Sequence, residues 1–105
     1  MTVNERGTAV FTVAFTDEDG ASVIPNNINW TLSDTIGTII NSREGVVVVP
    51  ASSITITLTG DDLAIGTNGV NRILTIESDY DSAAGTGLTN NEEYPFTIKN
   101  LVNVG

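Results

Sequence analysis

The chain has 105 residues, no cysteine and no histidine, and its thirteen Asp and Glu against four Lys and Arg give a formal net charge of −9. That composition excludes disulfides, thiolate and zinc–histidine sites, and the Ser-His and Cys-His arrangements of nucleophilic catalysis. It also makes nucleic acid a poor partner, because each phosphate contact needs a cation to displace a counterion, and Arg6, Arg43, Arg72 and Lys99 are too scattered to form a basic stripe.

One domain of this length buries about 65% of its unfolded surface and stands without staples. No apolar run approaches the ~20 residues of a membrane helix, and Met1 to Gly7 has neither the basic start nor the apolar block of a signal peptide. The expectation is a single domain over residues 1–105, assembled in the cytoplasm, with no membrane partner. Met1 to Gly7 is polar and reads as a flexible arm.

Thr8 to Thr16 alternates, with Phe11, Val13 and Phe15 on one face, and predicts a strand with one dry side. Asp17-Glu18-Asp19-Gly20 stops it, and Pro25 holds Ile24 extended. Asn27 to Asp34 alternates strictly, placing Ile28, Trp30 and Leu32 together; a lone tryptophan there suits the inner face of a two-sheet sandwich. Ile36 to Ile40 reads as a short strand interrupted by Gly37, at an edge or a bulge. Val46, Val47, Val48 and Val49, closed by Pro50, fit either a strand buried on both faces or an edge strand awaiting another chain.

Ser53 to Thr59 puts Ile54, Ile56 and Leu58 inside and three threonines outside. Gly60 to Gly66 predicts one helical turn near residues 61–64, started by Asp61 and ended by Gly66. Val70 to Tyr80 is the next strand, with Leu74, Ile76 and Tyr80 inward. Asp81 to Asn91, rich in Gly, Ser, Ala, Thr and Asn, reads as the longest irregular stretch. Glu93 to Lys99 is the last strand, with Tyr94, Phe96 and Ile98 on one face and Pro95 marking a sheet edge or a strand start. Leu101, Val102 and Val104 belong to a short apolar tail over residues 101–105.

About seven strands with turn signals between them predict an all-β, immunoglobulin-like antiparallel sandwich, with the helical turn at a crossover between sheets. In that topology the loop after the first long strand and the loop before the last lie at one end. Asp17, Glu18 and Asp19 should then approach Asp79 and Asp81, and Asp17, Asp19, Asp79 and Asp81 form a carboxylate group that offers oxygen ligands to calcium. Turn chemistry explains the same Asp-x-Asp-Gly spacing, and no glutamate stands at the twelfth position of an EF-hand loop. No catalytic constellation accompanies these residues, and no cofactor is expected.

The run Phe11-Thr-Val-Ala-Phe-Thr-Asp-Glu-Asp-Gly20, Asn29-Trp-Thr-Leu-Ser-Asp34, Ile54-Thr-Ile-Thr-Leu-Thr-Gly-Asp-Asp-Leu63, Arg72-Ile-Leu-Thr-Ile76 and Tyr80-Asp-Ser resembles small immunoglobulin-like virion proteins of tailed bacteriophages. The resemblance implies an accessory structural protein of the head, such as a decoration or cement protein, or else a component of the tail or adsorption apparatus. It implies other virion proteins as partners, in many copies on a particle. Val46 to Val49 together with Leu101, Val102 and Val104 are the candidate contact residues. The alternative is a host-surface or carbohydrate-binding adhesin module.

Overall fold

A computed structural model describes residues 1–104, so Gly105, the last residue of the predicted tail, lies outside the described residues. Among the described residues seven strands form: β1 (Thr2–Asn4), β2 (Thr8–Ala14), β3 (Asn27–Ser33), β4 (Val46–Val48), β5 (Ser53–Thr59), β6 (Asn71–Ser82) and β7 (Gly85–Lys99). They make a five-stranded sheet in the order β1-β7-β6-β3-β4 that faces a two-stranded sheet, β2-β5. The chain is an all-β sandwich, with the connectivity expected of an immunoglobulin-like domain.

Period-two patterning produces this arrangement. In β2 and β5 the strands pair antiparallel from Thr8 opposite Thr59 to Ala14 opposite Ser53, so Phe11 and Val13 point inward beside Ile56 and Ile54. In the larger sheet Trp30 lies opposite Ile76 and Leu32 opposite Leu74, with the same faces inward. The predicted core of Phe11, Val13, Phe15, Ile28, Trp30, Leu32, Ile54, Ile56, Leu58, Leu74, Ile76, Phe96 and Ile98 is buried, and Val3, Ala9, Ile40, Leu63 and Tyr80 join it. Tyr94 departs from its predicted core place: it is only half-buried and packs on the core's flank, its ring 6.4 Å from that of Phe11. The β2-β5 sheet has just two strands and leaves that part of the larger sheet uncovered.

Several expectations are corrected. Residues 1–7 are no free arm, because β1 pairs parallel with β7, Val3 is buried, and Gly60 N–H donates to the Gly7 carbonyl. Residues 81–91 are no irregular stretch, because β6 and β7 form one long hairpin turning at Ala83-Ala84. Residues 36–40 form no strand: Asp34 organises a turn, accepting the N–H of Ile36 and Thr38, and only Ile39 bridges to Ser33. The valine run is an edge strand, with Val46 and Val48 half-buried and Val47 exposed, so burial on both faces is ruled out.

The helical turn, Gly60–Leu63, crosses from one sheet to the other as expected. Its organising carboxylate is Asp62, which accepts the Thr59 N–H, whereas Asp61 turns outward to Arg6; the turn ends at Ala64 rather than Gly66.

Pro95 sits where its missing N–H costs nothing. Thr97 N–H points away from β6 and donates to the Met1 carbonyl, so position 95, two residues earlier, faces the same flank. There β7 has no neighbour, since β1 reaches only Thr97 to Lys99.

The hairpin also sets the shape. Fifteen extended residues span about 48 Å, and the principal extents are 53 × 21 × 20 Å. The radius of gyration, 15.2 Å, exceeds the ~13 Å of a rounder domain of this length.

Candidate functional site

Strand directions bring the turn at residues 17–20 and the tip of the β6-β7 hairpin to one end, as the sequence predicts, but the contact runs from Glu18 to Tyr80 and Ser82 rather than to Asp79 and Asp81. Asp17 Oδ1 accepts the N–H groups of Asp19 and Ala21 at 2.9 and 3.0 Å, and Gly20, at φ 81°, closes the turn onto the Asp17 carbonyl. A left-handed torsion of that kind is cheap only without a β-carbon. Glu18, between them, reaches across: its Oε1 accepts Ser82 Oγ–H at 2.7 Å and Tyr80 O–H at 3.3 Å. Burial and the nearby Glu18 carboxylate both push the Tyr80 phenol above its ordinary pKa.

The predicted calcium set of Asp17, Asp19, Asp79 and Asp81 does not assemble. Asp79 instead accepts the Asn27 amide at 3.1 Å, and Asp81 accepts the Asn26 amide and the Gly87 N–H. Among the described residues, the one group of three or more carboxylates whose oxygens lie within 4.8 Å of one another is Asp17, Glu18 and Asp19. Two of these are already occupied in turn and bridging bonds, so the cluster reads as a locked turn.

Beside this end, on the outer face of the larger sheet, Asn27, Asn29, Glu77, Asp79, Thr89 and Asn91 line a shallow cleft of about 340 Å³. Its walls are amide, hydroxyl and carboxylate groups. No aromatic ring lines it to stack on a sugar.

The opposite end is built around buried ions. Arg72 is 1% exposed, and its guanidinium donates to five backbone carbonyls: Asn68, Gly69 and Asn71 through one nitrogen, Ala64 and Ile65 through the other. Its Nε has no hydrogen-bond partner. Desolvation lowers its pKa, with the negative charge of Asp34 working the other way. Asp34 itself is held below the usual carboxylate range: burial pushes upward, but the N–H groups of Thr38 and Ile36 and the Asn68 amide outweigh it. Asp62 is buried and likewise depressed, again against desolvation, by Arg43 at 2.8 Å, the Asn41 amide and the Thr59 N–H.

The charges are therefore divided lengthwise. At and beyond the row Thr31-Thr75-Glu93, toward the hairpin tip, lie Asp17, Glu18, Asp19 and Glu77, then Asp79, Asp81, Glu92 and Glu93, with no Lys or Arg. On the other side lie all four cations, with five carboxylates: Glu5, Asp34, Glu44, Asp61 and Asp62. Eight of the nine net negative charges belong to one half of a rod.

No family model, curated protein or solved structure matches the chain.

The predicted contact residues fall on two surfaces. Val47 and Val49, 83% and 84% exposed, lie on the β4 edge. Val102, 98% exposed, lies at the nearly charge-balanced end with Ile36 and Met1, which are also exposed; Val104 is less so, and Leu101 is half-buried with its N–H on Glu5 Oε1. Composition alone did not separate these. The buried ions were missed as structural elements, although Arg72 shares the parity of Leu74 and Ile76, a signal that it points inward.

Proposed function

We propose that the chain is a multi-copy structural protein of a virus particle, an accessory or decoration protein of a tailed bacteriophage that acts through protein–protein contacts. The observation that carries this reading is the lengthwise division of the rod. One end is nearly charge-balanced, with five carboxylates to four cations, and studded with exposed Met1, Ile36 and Val102, whereas the other half carries eight carboxylates and no cation. Apolar side chains at a nearly neutral end suit seating on a shell, because contact there removes apolar surface from water with little burial of unpaired charge. The acidic half would then project outward and keep neighbouring copies apart at their tips. Val47 and Val49 on the β4 edge offer a lateral apolar contact with an adjoining protein. The resemblance of the Phe11 to Ser82 pattern to small phage virion proteins supports the same reading.

Mass spectrometry of purified particles, with the Val102→Asp/Ile36→Asp double variant beside the native chain, tests it. The native chain should co-purify in many copies per particle. The variant, altered only at exposed positions, should melt within a few degrees of the native chain yet be lost from particles. Absence of the native chain from particles, or equal retention of both, refutes the proposal.

A further inference from the structure

We propose that the free edge of β7 at Thr89, Asn91 and Glu93 is a docking site for an extended, basic segment of another protein, added as a further strand to the five-stranded sheet. This does not depend on the particle reading.

The first observation is the edge itself. β7 is flanked by β6 along its whole length, but β1 covers only Thr97 to Lys99 on the other side. The β6-β7 register runs without a shift from Thr97 to Leu88. Backbone groups alternate sides along a strand, and Thr97 N–H faces outward. Glu93, Asn91 and Thr89 therefore each aim an N–H and a C=O at the open flank. Unpaired edges of this length template strand addition, and main-chain hydrogen bonds then supply affinity.

The second observation, independent of the first, fixes the occupant. The side chains of those same residues face the outer surface, where Glu93 stands on the edge and Glu77 and Asp79 line the adjoining cleft. Strand spacing is about 4.8 Å, so an incoming residue opposite Asn91 lies one strand from the edge and two from Glu77, within the combined span of a lysine and a glutamate. A second copy of this chain would bring eight more carboxylates to the same place and is repelled. An alternating Lys/Arg strand satisfies backbone and carboxylates together.

Pro95 points to a clean test. It shows that β7 accepts proline at this parity without loss of a ladder bond, so Asn91→Pro should delete one outward donor and leave the β6 pairing intact. The probe is a Lys-Val alternating decapeptide at low salt, followed by amide NMR and hydrogen exchange. Before addition, the amides of Thr89, Asn91 and Glu93 should exchange much faster than those of Asn90 and Glu92. The peptide should protect the Thr89, Asn91 and Glu93 amides, and a Glu-Val decapeptide should not. Asn91→Pro, or N-methylation of alternate residues of the peptide, should weaken binding at least tenfold. Protection elsewhere, no binding at millimolar peptide, or equal binding by the N-methylated peptide overturns the proposal; the last result, obtained on the native chain, does so even if Asn91→Pro fails to fold.

Discussion

Replacing Arg72 with alanine should be among the most damaging single changes in this domain. The guanidinium is 1% exposed and holds the carbonyls of Ala64, Ile65, Asn68, Gly69 and Asn71, so its loss releases the whole crossover between β5 and β6. Hydrogen bonds to a charged donor contribute about 1.5–3 kcal/mol each. Counting only the two shortest, to Gly69 and Asn71 at 2.9 and 3.0 Å, sets a floor of about 3 kcal/mol. The vacated volume and the Asp34 carboxylate left without its nearby cation add to that. Against a total of about 5–15 kcal/mol for a chain of this size, the melting temperature should fall by about 12–24 °C. Urea titration followed by Trp30 fluorescence measures it, and hydrogen exchange should show residues 64–71 opening first. A loss under 1 kcal/mol would mean that the buried guanidinium is merely tolerated and that the crossover holds itself.

Trp30→Ala should cost about 3–5 kcal/mol by denaturant titration, because the large ring is buried in the core; a variant as stable as the native chain would refute that placement. Asp34 and Asp62 have folded pKa values below the ordinary 3.8, so their contribution is complete above that pH and is lost as pH falls through the lowered values. Asp62→Asn should therefore flatten the acid limb of the stability curve, and an unchanged limb would count against it. Burial and the Glu92 carboxylate push Tyr94 up to about 12, and Tyr80 is raised as well. A raised phenol contributes below the unfolded value of 10.0 and loses that contribution as pH climbs toward the folded one. Tyrosinate absorbance of the native chain should rise later than that of the urea-unfolded chain, and coincident curves would refute both environments. Asn90→Pro should cost about 2 kcal/mol or more, since its N–H faces β6, whereas Asn91→Pro should leave the melting temperature nearly unchanged; equal losses would contradict the inferred parity.

The sandwich was legible because Phe11, Trp30, Ile56 and Leu74 sit in clean alternation on strands that are dry on one face. The hairpin tip was not, because it escapes the condition that writes alternation into a sequence. The two-stranded sheet does not cover it, so Leu88, Asn90 and Glu92 are only half-buried and selection for apolar side chains is relaxed. β1 contributes a single apolar residue, Val3, and its pairing is made by backbone groups that any sequence provides. The calcium expectation placed the right loops together. It failed on the partners, because Asn26 and Asn27 satisfy Asp81 and Asp79, and Glu18 bridges to Ser82 and Tyr80 instead.

The parallel pairing of β1 with β7 has a mechanical consequence. A pull applied upstream of Thr2 and downstream of Lys99 slides the two strands past each other along their length. The bonds at that seam, including Thr97 to Met1 and Glu5 to Lys99, each 3.0 Å, are then loaded in shear and must rupture together instead of unzipping one by one. A three-residue ribbon thus becomes a force clamp for the whole rod.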